Sequence, residues 1–137
     1  MQLAACEAMF NIIKSGNEAI LRYKNFLNIF DKNIYLIEKT AYNDVKDYSK
    51  KVDELLKDVV YRSLNKNLVF NLDDLIEAIC KKLRLCISQD GQMVLIKWIE
   101  ILHSITNVNI LMCVPKFLEK LFIIVETYNN EKQGIKT

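Results

Sequence analysis

Few side chains in this sequence have the type and spacing that catalysis or metal binding needs. His103 is the sole histidine, and a catalytic imidazole requires a nucleophile or a bound water within hydrogen-bond reach, in a polar pocket. No such group lies near it along the chain, so we predict a structural or surface role for it. Cys80 and Cys86 are six positions apart, whereas two ligands on one helix face stand at i and i+4. We therefore interpret both thiols as packing residues.

The carboxylates offer no better arrangement. Asp53-Glu54 and Asp73-Asp74 are adjacent in sequence, and helix neighbours point about 100° apart, so neither pair converges on one substrate atom. The sequence contains no Gly-rich phosphate loop and no GxSxG or HExxH motif. Its four cysteines show no CxxC spacing. We predict that the protein is not an enzyme and has no catalytic residue, cofactor or metal ion.

Composition indicates a helical protein of nearly neutral charge. The 137 residues include only 3 Gly and 1 Pro, too few for many tight turns. A net charge of +2 does not by itself indicate a nucleic-acid or membrane partner. No apolar run reaches the roughly 18 residues of a transmembrane helix, and Glu7, Asn11 and Lys14 interrupt the N-terminal apolar residues, unlike a signal peptide. We expect all four cysteines to be reduced thiols in the core of a cytosolic protein. They are Cys6, Cys80, Cys86 and Cys113.

Apolar residues recur at helical spacing along the chain and predict six helices. They cover about residues 2–14, 17–38, 43–63, 71–86, 88–105 and 115–126. Asn17, Asn43 or Asp44, Asn71 and Ser88 are the predicted N-terminal caps. The triplet at residues 31–33, Asp-Lys-Asn, predicts a bend or an early end of the second helix. No capping residue precedes Gln2, so we expect this chain to be a piece of a longer protein.

Each helix carries an apolar stripe that we expect to be buried. In the last three helices the stripes are Leu72, Leu75, Ile76, Ile79, Leu83 and Cys86, then Val94, Leu95, Trp98, Ile99, Leu102 and Ile105, then Phe117, Leu118, Leu121, Phe122 and Val125. Because Trp98 shares its stripe with Leu95 and Leu102, a core position is favoured over an interface anchor.

The third helix carries a charged face of mixed sign, which we interpret as solvated surface. Its members are Lys46, Asp47, Lys50, Lys51, Asp53, Glu54, Lys57 and Asp58. Within it, the candidate partner-binding residues are Lys46, Lys50, Lys51 and Glu54. A second cluster, Lys81, Lys82 and Arg84, has the composition to contact acidic lipid or an acidic partner. Its place at a helix C-terminus makes interaction with the helix dipole the favoured explanation.

The predicted fold class is all-α. Six helices in three antiparallel pairs, at about residues 2–38, 43–86 and 88–126, give a period near the roughly 40–47 residues of HEAT-type repeats. We predict a HEAT/armadillo-like α-solenoid over residues 1–128, with a polar tail at 129–137. Such a repeat predicts contacts only between neighbouring pairs. A four-helix bundle with extra helices is the structural alternative.

Several segments also resemble one known family. They are ACEAMFNIIK at residues 5–14, LLKDVV at 55–60, WIEILHSITNVNIL at 98–111 and VPKFLEKLF at 114–122. In this order and spacing, they are similar to the HEAT-repeat N-terminal region of the vacuole-morphology scaffold family. The resemblance covers residues 5–126, nearly the whole chain.

The resemblance implies a function that spacing alone does not show. Members of that family are non-catalytic scaffolds, and their N-terminal repeats bind a PIKfyve-type lipid kinase that makes phosphatidylinositol 3,5-bisphosphate. A Sac-type phosphatase joins the full complex, which acts at endosomal, lysosomal or vacuolar membranes. The resemblance therefore implies a cytoplasmic protein held peripherally on those membranes through its complex, with self-association of the fragment as a further expectation.

Two other functions stay open from the residues alone. A nucleic-acid-binding helical repeat needs a basic stripe along one face, whereas acidic residues are interleaved with the basic ones here, so we expect no nucleic-acid partner. A generic HEAT-type interaction domain of an unrelated pathway is the other alternative.

Overall fold

Six α-helices make up the part of the chain that the structure describes. The computed structural model describes residues 2–16, 25–65, 72–104 and 114–132. The helices are α1 (Gln2–Gly16), α2 (Asn25–Lys39), α3 (Asn43–Asn65), α4 (Leu72–Leu85), α5 (Gln89–Ser104) and α6 (Val114–Lys132). No strand occurs in these four ranges. The predicted all-α class, its six helices and its solenoid-like character are confirmed.

Two short links join consecutive helices. Ser88 is the predicted cap of α5, and its Oγ accepts a hydrogen bond of 3.0 Å from the Gly91 N–H, which satisfies a donor of the first turn. At the start of α3 the Tyr42 carbonyl accepts the first backbone bond, from Lys46 N–H. Asp44, one of the two predicted caps, accepts from Val45 N–H at 2.9 Å. The Thr40 hydroxyl accepts from Tyr42 N–H at 3.3 Å and shapes that link.

The polar triplet in α2 neither bends nor ends the helix. Asn33 is buried, and its side-chain amide donates to the Ser49 carbonyl of α3 at 2.9 Å. Ser49 Oγ in turn lies 3.6 Å from Cys6 Sγ of α1. At this inward helical position the Asn33 side-chain nitrogen has a partner, whereas its buried Oδ1 has none in the described part of the chain. The helix nevertheless continues to Lys39.

The helices form two layers. One layer places α1, α3 and α5 side by side, the other places α2, α4 and α6, and α3 and α5 also pack against the preceding helix in sequence. Helices two apart in sequence are thus neighbours, as in stacked repeats. One contact goes beyond neighbouring pairs, because α2 also packs against α5. The division into three pairs stays a prediction, as does the domain boundary at residue 128.

The core is apolar and continuous through α1 to α5. The fully buried Trp98 lies at its centre and meets Phe30 of α2 edge to face, with 5.3 Å between ring centroids. The predicted stripes of α4 and α5 are confirmed as buried or partly buried at every described position. Ile105, Asn17, Asn71 and Cys113 lie outside the described residues.

Two expectations about burial are wrong. Asp53 and Lys57 of the supposedly solvated face are only 1% and 2% exposed, because they pair with each other beneath Trp98. On α6, three residues of the predicted buried stripe are exposed, namely Leu118, Phe122 and Val125. An amphipathic stripe buries itself only where another element covers it, and in the described part of the chain nothing covers this side of α6.

We predict that Trp98→Ala lowers the free energy of unfolding by about 3–5 kcal/mol, because it removes a large buried ring and leaves a cavity. Trp98→Phe is the matched control. It keeps an aromatic ring in the core but loses the hydrogen bond to Asp53 and part of the buried ring volume, and should cost about 1–3 kcal/mol. Urea unfolding measures both changes. A Trp98→Ala protein as stable as the parent would contradict the core position.

Candidate partner interface

Two of the candidate partner-binding lysines are tied to another helix. Lys46 Nζ and Lys50 Nζ lie 3.2 and 2.8 Å from the two carboxylate oxygens of Asp90, in the first turn of α5. These contacts lower the pKa of Asp90, chiefly through the hydrogen bond from Lys50. The three side chains are partly exposed, so each ion pair contributes modestly. Together they form a clamp between α3 and α5.

The other two candidates have separate surroundings. Lys51 Nζ lies 5.5 Å from the centroid of the Tyr48 ring, a cation–π contact within α3. Glu54 Oε1 lies 3.5 Å from Lys57 Nζ, at the solvent edge of the buried pair. The structure therefore does not gather the four residues into one free patch. Their role in partner binding stays a prediction.

A buried polar network lies beneath these residues. Asp53 Oδ1 accepts a hydrogen bond of 2.6 Å from the indole N–H of Trp98, and Asp53 Oδ2 lies 2.6 Å from Lys57 Nζ. The ammonium group is also 5.8 Å from the Trp98 ring centroid. Burial raises the pKa of Asp53, and Lys57 and Trp98 act in the opposite direction. The i, i+4 spacing of Asp53 and Lys57 and the need of a buried indole for an acceptor were the available sequence signals.

The densest hydrogen-bonding site surrounds Glu38, which sequence reasoning missed. Its carboxylate accepts bonds from Ile87 N–H at 2.8 Å and Ser88 N–H at 3.1 Å. It also accepts from Ser88 Oγ at 2.6 Å and from Cys86 Sγ at 2.7 Å. The last turn of α2 is thereby fastened to the link between α4 and α5. Its one sequence signal is an acidic residue at a helix C-terminus, where the dipole disfavours it.

The surroundings of Glu38 fix the protonation of two groups. Burial alone would raise the pKa of Glu38, but the hydrogen bonds from Cys86, Ser88 and Ile87 outweigh it and lower the pKa from 4.5 to about 2. Burial, followed by the hydrogen bond to Glu38 and its negative charge, raises the pKa of Cys86 to about 12. The Cys86 thiol is therefore a neutral donor and a poor nucleophile.

Gly91 completes this junction. A Cβ atom at Gly91 would meet Glu38 Oε2 and Cys86 Sγ at less than any normal contact distance. The absence of a side chain lets the first turn of α5 approach the Glu38 carboxylate, a role for which glycine is suited. Steric space is therefore the reason for glycine at this position.

The described residues contain no group of three or more metal-binding side chains. His103 is exposed at the end of α5. Cys6, Cys80 and Cys86 are buried and form no disulfide bond, as predicted for packing positions. Within the described ranges, no helix is both long and apolar enough to cross a membrane.

Two open grooves interrupt the surface. One, of about 390 Å³, lies between α5 and α6 and is lined by Ile87, Met93 and Val125 among others. The other, of about 260 Å³, lies between α2 and α4, where Tyr35 and Leu85 line it. Both are open to solvent, and their linings are mainly apolar.

The helices are layered, and apolar grooves are exposed between them. The polar side chains described above bind one another within the fold. These features are those of a helical scaffold of the protein-binding class. The family model described as the Vacuolar 14 Fab1-binding region matches residues 1–58. A protein VAC14 homolog of Arabidopsis thaliana is 27% identical over 127 residues, or 93% of this chain. The two matches support the vacuole-morphology scaffold family, with a Fab1-binding region, and the resemblance seen in the sequence is confirmed.

These matches have defined extents. The chain spans 16% of the length of the Arabidopsis relative. The Fab1-binding match covers α1, α2 and most of α3. The groove between α2 and α4 has one wall inside the match and one outside it. No solved structure matches the chain.

Glu38 should make stability depend on acidic pH. Its folded-state pKa of about 2 lies below the ordinary 4.5, so its contribution is complete above pH 4.5 and is lost as the pH falls towards 2. We expect Glu38→Gln to cost about 1–3 kcal/mol of unfolding free energy near neutral pH. The difference between parent and variant should shrink below pH 4.5, measured by urea unfolding. A difference that stays constant with pH would contradict an ionised Glu38.

We also predict that Gly91→Ala destabilises the protein by about 1–3 kcal/mol through overpacking. At an open helical site the same change would stabilise by roughly 0.5–1 kcal/mol, so the sign alone tests the crowding. Glu38→Ala removes one of the crowding groups. The cost of Gly91→Ala, read from thermal or urea unfolding, should therefore be smaller in the Glu38→Ala background than in the parent.

Proposed function

We propose that this chain is a non-catalytic scaffold segment that binds a Fab1/PIKfyve-type lipid kinase. The observation that carries the proposal is the match of residues 1–58 to a family described as Fab1-binding. The similarity of 93% of the chain to a VAC14 homolog supports the same function over the remaining helices. A scaffold needs shape and surface rather than reactive groups, and stacked helices provide an extended surface for a partner.

The physical basis of such binding is a firm helical frame. Three polar junctions fasten the helices to one another: the Asp90 clamp, the Asp53–Lys57–Trp98 network and the Glu38 junction. A frame that is already ordered loses little conformational entropy when a partner docks. The exposed apolar side chains on its grooves are then available for contact.

The proposal extends to the setting of the complex. Holding the kinase in place would support synthesis of phosphatidylinositol 3,5-bisphosphate. A Sac-type phosphatase would belong to the full assembly, and the chain would reside in the cytoplasm, peripherally on endosomal, lysosomal or vacuolar membranes. The support for these finer statements is the similarity to the scaffold family.

We expect the folded chain to retain a purified Fab1-type kinase in a pull-down, while leaving behind an unrelated lipid kinase of similar size. A circular dichroism spectrum of helical shape confirms beforehand that the chain is folded. No retention by the folded chain, and none by a longer version that includes further helices, would overturn the proposed function.

A further inference from the structure

The groove between α2 and α4 combines apolar walls with a basic rim. Tyr35 is 59% exposed and Leu85 is 68% exposed, and both line the groove together with Lys39 and Lys82. Large apolar side chains at such exposure, set among charges, mark contact sites rather than core. At about 260 Å³, the groove falls below the roughly 300–1,000 Å³ of small-molecule sites.

Helical spacing places four lysines, including Lys39 and Lys82, within one turn of Tyr35 or Leu85. Lys32 and Lys39 stand at i−3 and i+4 from Tyr35, and Lys81 and Lys82 stand at i−4 and i−3 from Leu85. Tyr35 and Leu85 are therefore each flanked by two lysines on their own helix.

The carboxylates near the groove do not balance these lysines. Asp31 lies at 3.9 Å from Lys82 Nζ, a long ion pair. The oxygens of Glu38 face inward, where they accept hydrogen bonds from Cys86 and the residues after it. Counting Glu77, which stands at i−4 from Lys81, four lysines face three carboxylates. The rim is therefore positive by one charge, although the whole chain is nearly neutral. A ligand complementary to this rim is acidic.

We propose that this groove is the docking site for a short acidic segment of the Fab1-type kinase, which inserts one large apolar side chain between Tyr35 and Leu85. The inference rests on the proposed function and deepens it by naming a surface. One wall belongs to α2, inside the region matched as Fab1-binding, so the groove is continuous with that region. A recess between two helices matches an inserted side chain better than it matches a flat layer of lipid headgroups.

Paired variants of the full chain separate the two parts of the site. The apolar pair is Tyr35→Ser with Leu85→Ser, and its matched control is Phe122→Ser, an exposed aromatic residue of α6 that lines neither groove. All three side chains are more than half exposed, so the variants should fold, which thermal unfolding verifies. We expect the apolar pair to weaken kinase binding by about tenfold or more and Phe122→Ser to leave it unchanged.

The charge pair is Lys39→Glu with Lys82→Glu, and its matched control is Lys97→Glu on the exposed side of α5. We expect the charge pair to weaken binding by about tenfold at low salt and by much less at about 1 M salt, where rim charges are screened. The control should behave as the parent does at both salt concentrations.

The outcomes distinguish the two proposals. If the parent chain binds the kinase and both pairs bind it equally well, the groove proposal is overturned while the proposed function stands. If the parent chain does not bind the kinase at all, both fall. If the charge pair instead loses binding to vesicles containing phosphatidylserine and keeps its affinity for the kinase, the groove serves a membrane surface and the protein-docking proposal is overturned.

Discussion

The insertion of Trp98 between α2 and α3 is the constraint on which the rest of the structure depends. The ring packs edge to face on Phe30 of α2, and its N–H donates to Asp53 of α3. One side chain of α5 therefore contacts a helix of each layer. A buried ion pair is costly unless its hydrogen bonds are satisfied. Asp53 meets this condition because it has Trp98 on one oxygen and Lys57 on the other. The packing of α2 against α5, unexpected for a simple repeat, follows from the reach of this indole.

The Glu38 junction holds the same helices at a second point. A carboxylate that accepts four hydrogen bonds fixes the end of α2 against the turn between α4 and α5. Charged hydrogen bonds of this kind are stronger than neutral ones. Because Ser88 both caps α5 and donates to Glu38, the start of α5 and the end of α2 are positioned together. The walls of the groove between α2 and α4 are set by this junction, since Glu38 and Cys86 form part of its lining.

Helical periodicity predicted most of the fold and little of the interface. The six helices, the Ser88 cap and the buried Trp98 depend on local spacing, which is visible in one sequence. Asp53 and Lys57 satisfy the i, i+4 rule equally well on a surface or in a core, so the sequence alone could not place them. Glu38 meets Cys86 across 48 positions, and only tertiary packing brings such residues together. The stripe of α6 is amphipathic, but a stripe does not reveal whether anything covers it.

The distribution of cations explains why the groove, rather than α3, is the stronger candidate for partner contact. A partner that bound Lys46 and Lys50 would compete with Asp90, whose carboxylate already engages both ammonium groups. Its binding energy would be reduced by the ion pairs it displaced, and the clamp between α3 and α5 would open. At the groove, Lys82 Nζ lies at 3.9 Å from Asp31, a long ion pair. The Glu38 carboxylate also lines the groove, but Cys86, Ile87 and Ser88 already donate to it, so an incoming acid displaces little. Apolar anchors inside a basic rim therefore let a partner gain contacts without loosening the frame that presents them.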